Sequence, residues 1–419
     1  MAMILGVIAD DSTGATDVAS MLVRSGMRTV QCIGVPDGPP PQADAVVVAL
    51  KTRTCPAPQA VHQSLQALRW LQQAGARQFY FKYCSTFDST PEGNIGPVAE
   101  ALQQALGTDF AIACPAFPEN GRTVYRGHLF VGDALLSDSG MRDHPLTPMT
   151  DANLVRVLQA QVRAPVGLAP EAVVRQGSDA LRRHLEALRT TGHGFAVVDA
   201  IDNQALHTMA AACDGMPLIT AGSGVAMGLP EVYVRRGWLR PDAMAAQLPA
   251  VGGRQVVLSG SCSQATRAQV AHWMAQGRQA FRIDPLLLAG GQDVVAQALS
   301  QWQTRADEPM LFYATAEPDA VKAAQQQLGV QGAGDLVEKA FSSLAQALAQ
   351  QGVRRFVVAG GETSGSVVQA LEVDRLRIGP VIDPGVPWTQ AGNRELLLAL
   401  KSGNFGSEDF FSKALAMTA

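Results

Sequence analysis

Charge is scarce in this chain: only 17% of its 419 residues are Asp, Glu, Lys or Arg, and the formal net charge is -4. So weak a balance carries no electrostatic footprint for nucleic acid or an anionic membrane, and the expected partners are small molecules. Cysteine is scarce as well. Cys32, Cys55, Cys84, Cys114, Cys213 and Cys262 lie far apart with no C-x-x-C pair, which disfavours a zinc knuckle or a disulfide framework and fits a reducing cytoplasm. The seven histidines show no H-x-x-x-H or H-E-x-x-H spacing, so the zinc hydrolase signature is missing. Residues 1–9 are apolar but lack a basic n-region, run into Asp10 and Asp11, and are too short to span a bilayer. They read as a first strand, not an export signal or an anchor.

Two nucleotide fingerprints are also missing. The segment RFVVAGGETSGSVVQ, 355–369, reads as a buried strand opening through a glycine-rich turn into a helix, but it has neither the Walker lysine nor the G-x-G-x-x-G spacing. What it does have is Gly360, Gly361 and Gly365, where backbone N–H groups can approach an anion, and the hydroxyls of Thr363, Ser364 and Ser366. VVLSGSCS (256–263) and LKSGNFG (400–406) repeat the design, offering Ser259, Gly260, Ser261 and Gly403 to a phosphate or adenosine. The plainer alternative for each turn is small residues serving packing. Ser261 does not complete a nucleophile elbow, because Gln264 stands where the second glycine belongs.

At this length two domains are expected. Apolar runs at 4–9, 45–50, 78–82, 110–114 and 195–199 alternate with helical stretches such as 59–73, which Gly75 stops. The stretch 238–254, with Pro241, Pro249, Gly252 and Gly253, reads as a boundary. Beyond it, 255–258, 309–314 and 355–359 read as strands. Residues 335–351 read as a helix that Asp335 and Glu338 would cap and Gly352 would end. The pattern predicts an α/β fold of two domains, 1–240 and 254–419, each a mainly parallel sheet flanked by helices, with the active site in the interdomain cleft.

Ligands of such sheets gather just past the strand ends. In the first half, ADDSTGATD places Asp10 and Asp11 there, either as a helix cap and a solvated acid or as a carboxylate that holds a substrate hydroxyl and takes its proton. FYFKYCSTFDST, 79–90, delivers Lys82, Tyr83, Cys84, Ser85 and Thr86 into a loop that is either plain surface or a grip on a polyhydroxy acid. Lys82 would then act as a point charge on a carboxylate, and Arg53 as a bidentate partner.

These segments, together with GNIGPV, GHLFVGDALLSDSGMRDHPLTPMTDANL and PGVPW, resemble the four-carbon acid sugar kinases over nearly the whole chain. KYCSTFDST and HPLTPMTDANL are most similar to the oxo-tetronate branch; threonate and erythronate kinases typically carry a KK-[IV]-DST form of the first. Ser12 departs from the pattern, standing where a bulky apolar residue is usual.

The resemblance implies acid-sugar binding by the first domain, through Asp10, Asp11, Arg53 and Lys82 to Ser85. It implies ATP binding by the second, through Ser259, Gly360, Gly361, Glu362, Thr363 and Gly403. The implied reaction is phosphoryl transfer to the terminal O4 hydroxyl, of 3-oxo-tetronate in this branch or of D-threonate or D-erythronate elsewhere in the family, with Asp10 or Asp11 as base. Mg²⁺ is expected from the chemistry, although no carboxylate cluster identifies its ligands and Glu362 is only a candidate. Assembly into a homo-oligomer stays open. Two other classes remain: a nicotinamide-dependent sugar-acid dehydrogenase, which lacks its glycine fingerprint, and a non-enzymatic sugar-acid binding protein, for which an export signal is expected.

Overall fold

The structure, a computed structural model, describes residues 3–144, 147–392 and 394–417. Pro145 and Leu146 of the HPLTPMTDANL stretch, and Met1 and Ala2 before the first strand, lie outside the described residues. The chain divides into two compact units, Met1–Ala246 and Gln247–Ala419.

In the first unit, β1 (Leu5–Ala9), β2 (Thr29–Ile33), β3 (Ala45–Ala49), β4 (Gln78–Lys82) and β5 (Ala111–Cys114) are largely or wholly buried. Their β-branched and aromatic runs suit a sheet covered on both faces. A separate three-stranded sheet follows, made of β6 (Arg122–Tyr125), β7 (His128–Val131) and β8 (Ala134–Leu135). The main sheet then resumes with β9 (Val166–Ala169), β10 (Phe195–Val198) and β11 (Leu218–Ala221). Its order is β2-β3-β1-β4-β11-β5-β10-β9, and every pairing among these strands is parallel. The chain steps from β1 to β2 and β3 on one side and returns to β4 on the other. That reversal is the switch point at which open α/β sheets form a ligand crevice. Register brings the decisive ends level, Ala9 opposite both Ala49 and Lys82.

The second unit repeats the logic. Its strands are β12 (Arg254–Ser259), β13 (Ala280–Arg282), β14 (Met310–Tyr313), β15 (Val353–Ala359), β16 (Arg375–Asp383), β17 (Val386–Ala391) and β18 (Leu397–Lys401). They run in the order β13-β14-β12-β15-β18-β17-β16. The first five are parallel, and β17 is antiparallel to both β18 and β16. Here the reversal falls at β12, and Ser259, Ala359 and Lys401 share one register line across β12, β15 and β18. Trp273, Trp388, Phe410 and Phe411 anchor a core under this sheet.

One expected helix start is corrected. The helix runs Val330–Gln350 from an N-cap at Gly329, so Asp335 and Glu338 lie in its second and third turns and do not form a capping box. Gly329 takes φ +76, a conformation glycine adopts without strain, and the periodic run propagates back to it. No helix among the described residues is long and apolar enough to cross a membrane.

Candidate functional site

At the first rim, the chain leaves β1 through Asp10 and Asp11 into the helix Ser12–Arg24. Asp11 is its N-cap, accepting the Gly14 N–H at 2.9 Å and the Thr13 hydroxyl at 2.8 Å. The helix begins at Ser12, directly after its cap. Asp10 is not a solvated acid. It is 7% exposed and held bidentately by Arg53, with Nε 2.9 Å from Oδ2 and Nη2 2.8 Å from Oδ1. The same Nη2 donates to Asp11 Oδ1 at 2.8 Å. The bidentate grip anticipated for Arg53 on a ligand is thus already closed on the protein's own carboxylates.

Two residues that the sequence did not single out hold this arrangement. Asn94 donates to the carbonyls of Thr52 (2.7 Å), Arg53 (3.2 Å) and Cys55 (2.8 Å) and so fixes the turn that carries Arg53. Gly14 leaves room above the helix start: a Cβ there would collide with the Lys82 ammonium and the Asp11 carboxylate. Lys82 is 3% exposed, not a solvated surface lysine. Its Nζ lies 4.0 Å from Asp11 Oδ1, so the two groups attract without closing a hydrogen bond.

Electrostatics separate the carboxylates. Burial opposes ionisation of Asp11, but the charges of Arg53 and Lys82 and the bonds from Thr13 and Gly14 outweigh it, leaving its pKa below the usual value. Asp17, one helical turn and a half further on, is the reverse case. Burial pushes its pKa up to about 6 against the opposing pull of Lys82 and a 2.5 Å bond from Ser223 Oγ, and its Oδ1 has no hydrogen-bond partner among the described residues. The only signal for Asp17 in the sequence was a carboxylate within an otherwise apolar and small-residue helix.

The loop after β4 divides its residues. Tyr83 is core: its hydroxyl donates to the Thr220 carbonyl at 3.0 Å and its ring meets Phe81 and Phe87 edge-on. Cys84 lies 2.8 Å from the Thr86 hydroxyl, and burial pushes its thiol up to about 11. Ser85 is half-buried with no side-chain hydrogen bond among the described residues. Phe87 closes the loop in the left-handed region at φ 51, a conformation that for a bulky side chain stores about 1–3 kcal/mol.

At the second rim the three glycine turns come together. A Cβ on Gly260 would meet Thr363, one on Gly360 the Ser261 backbone, and one on Gly403 the hydroxyls of Ser261 and Ser263. Gly360 also takes φ 122, where a side chain is strained. Thr363 is buried, while Gly361 and Glu362 stand exposed in the first turn of the helix Gly361–Ala370, whose N–H groups point past the strand ends. Ser259 is fully buried, its hydroxyl 2.8 Å from that of Thr315, so its side chain braces the turn from within. Beside the turns lies a cavity of about 380 Å³, lined by Gly260, Glu362 and Thr363 together with apolar residues that include Val321, Ala324 and Val337. A polar cradle joined to an apolar slot is the shape a nucleoside phosphate requires. Among the described residues, no three His, Cys, Asp or Glu side chains cluster as metal ligands.

Two doubly wound α/β units, one ending in an Arg-Asp-Lys cluster and the other in interlocked glycine turns, define a protein built to hold a polar small molecule and a phosphate-bearing one. Comparison with known families gives that class its content. Residues 5–229 match the sugar-binding N-terminal domain and residues 256–411 the nucleotide-binding C-terminal domain, and the chain belongs to the family that joins the two. It is 59% identical to the 3-oxo-tetronate kinase of Pseudomonas fluorescens over 99% of this chain and 97% of that protein. Identity to the enzyme of the same name from Cupriavidus necator is also 59%, over 98% and 96% of the two chains. Among solved structures, a Salmonella typhimurium LT2 protein described provisionally as a tRNA synthase superposes with a TM-score of 0.89 at 48% identity, covering 99% of each chain. A Haemophilus influenzae protein assigned to a family of unknown function does so with a TM-score of 0.79 at 44% identity, over 98% of this chain and 99% of the other.

Proposed function

We propose that this chain is an ATP-dependent kinase that transfers the γ-phosphoryl group to the terminal O4 hydroxyl of 3-oxo-tetronate. The observation that carries the reading is similarity over essentially the full length to 3-oxo-tetronate kinases, joined to rims that suit the two substrates. No observation favours the dehydrogenase or the non-enzymatic reading.

On this account Lys82 neutralises the acid's carboxylate as a point charge, and Ser85 and the Cys84 loop border the sugar. Asp11 is the carboxylate that meets O4, since its side chain is 23% exposed against 9% for Asp10. A depressed pKa makes Asp11 a weak proton acceptor. Phosphoryl transfer tolerates this, because its loose transition state asks chiefly that the hydroxyl be oriented and the proton accepted late. Asp10 and Arg53 then act as the frame that aims Asp11. The backbone of Gly360, Gly361, Thr363 and Gly403 cradles the phosphates, with Ser259 supporting the turn, and the adjoining cavity takes the nucleoside.

Mg²⁺ commonly binds through one or two carboxylates plus phosphate oxygens. With Asp10 and Asp11 engaged by Arg53, the donor set fits an ion held mainly by the nucleotide, with Glu362 as a candidate ligand; when bound it would neutralise phosphate charge.

A coupled ADP-release assay over a panel of tetronates and oxo-tetronates tests the reading. Release driven best by 3-oxo-tetronate supports it. Folded protein that releases no ADP with any acid removes the kinase, and a preference for D-threonate removes the substrate.

A further inference from the structure

Lys401 ends β18 and is fully buried, yet no ion pair with it exists among the described residues. Its ammonium donates to Thr266 Oγ1 at 2.9 Å and to the carbonyls of Ser402 and Gly403, each at 3.0 Å. Its own carbonyl accepts the Gly360 N–H at 2.9 Å. The Gly403 carbonyl is drawn inward further by the hydroxyls of Ser263 (2.5 Å) and Thr266 (2.7 Å). One residue therefore ties together the turn after β15, the turn after β18 and the helix Gln264–Ala275 that follows the turn after β12. The contacts satisfy its N–H groups but not its charge, and a buried cation without a counter-ion is costly. The missing counter-charge is supplied if an anion occupies the three turns above it.

We propose that Lys401 is a positioning residue of the nucleotide site, clamping the three glycine-rich turns from beneath and lending phosphates the positive charge that a Walker lysine supplies by direct contact. The inference rests on the reading of this unit as the ATP-binding one. It accounts for the absent fingerprint: the lysine is present, but it arrives from the end of a different strand and stays under the backbone. Burial pushes its pKa down to about 7. The groups facing it are neutral, namely the Thr266 hydroxyl from the following helix, the Ser402 and Gly403 carbonyls, and the Ala359–Gly360 backbone of β15. Phosphate binding should then favour the protonated form.

The test uses the full chain with ATP, ADP and adenosine in titration calorimetry, comparing wild type with Lys401→Met, which keeps the volume, and Lys401→Gln, which keeps a donor without charge. Both variants are expected to bind ATP and ADP at least ~30-fold more weakly, near the 2 kcal/mol of a charge-assisted bond, to change adenosine binding less than ~3-fold, and to leave the KM for the acid at saturating ATP unchanged. A folded variant that binds ATP within ~3-fold of wild type overturns the proposal. A second measurement needs no variant. At pH 8, where the γ-phosphate is already ionised, ATP binding to wild type should take up most of one proton, seen as a dependence of binding heat on the buffer's ionisation enthalpy. Absence of that uptake together with an ATP affinity that stays flat from pH 8 to about 10.5, where a lysine loses its proton, overturns the proposal even if neither variant folds. Wild type that binds no ATP would instead refute the nucleotide reading on which the inference stands.

Discussion

Arg53 grips Asp10 with both nitrogens of one edge of its guanidinium, 2.9 Å from Oδ2 and 2.8 Å from Oδ1, and the nearer nitrogen reaches on to Asp11. The frame of the first rim is thus a planar fork closed on two adjacent carboxylates that would otherwise repel each other. A lysine cannot reproduce it. Arg53→Lys is expected to reduce kcat/KM for the acid by roughly 100-fold through misplacement of Asp11, with ATP affinity unchanged. Arg53→Ala should also destabilise the protein by up to about 3 kcal/mol, since it leaves Asp10 buried without its partner. Steady-state kinetics and denaturant unfolding check both, and wild-type activity in Arg53→Lys would contradict the frame.

Asp10→Asn and Asp11→Asn should separate function from stability. Asparagine caps a helix about as well as aspartate, so Asp11→Asn should alter stability by less than about 1 kcal/mol while lowering kcat by roughly 10²–10⁴-fold, the range for a lost general base. Asp10→Asn breaks the charged fork and should lose stability as well as activity. Calorimetric ATP binding unchanged in both would localise the loss to the acid side. Near-normal turnover in Asp11→Asn would remove its assignment as base.

Asp17 gives a pH signature whose sign follows from its raised pKa. The unfolded chain should titrate near the ordinary 3.8 and the folded one at about 6, so between those values the native state holds more protons and stability falls as pH rises. The cost at neutral pH is on the order of 2–3 kcal/mol. Melting temperatures from pH 4 to 7 should therefore show a descending contribution that Asp17→Asn abolishes, leaving that variant at least as stable as wild type at pH 7. An unchanged slope would show that Asp17 is not the titrating group. Asp11 contributes with the opposite sign, its stabilisation being lost as pH falls below about 4.

Gly14→Ala tests the room made for Lys82. Helix propensity alone favours alanine by about 1 kcal/mol, but its methyl would occupy the place of the Lys82 ammonium. The variant should fold, bind ATP normally and show a raised KM for the acid; an unchanged KM would remove Lys82 from carboxylate binding.

Much of this was legible in the sequence because strand ends carry both fold and chemistry in doubly wound sheets. The buried runs 4–9, 45–50 and 78–82 coincide with β1, β3 and β4, and the charged residues at or just past their ends are those that meet at the rim. Partners formed across distant turns were not legible. Asn94 acts on a loop some forty residues away, and nothing local marks Lys401 as buried rather than solvated. The three-stranded sheet of β6 to β8 was missed because its strands are short and partly polar. The antiparallel β16 and β17 were missed because Gly379, Pro380 and Pro387 interrupt their pattern. The burial of the Tyr83 ring was not legible either: β-strand alternation continues one residue past β4 and turns the side chain inward, its hydroxyl on the Thr220 carbonyl.

The central claim is phosphoryl transfer to one particular oxygen, and proton-phosphorus correlation NMR of the product formed from 3-oxo-tetronate and ATP tests it most directly. The account predicts a single phosphate resonance coupled to the two C4 methylene protons, accumulating with ADP in equal amounts. A phosphate coupled to the C2 proton, or no new phosphate resonance from folded protein that binds both ligands, would contradict it.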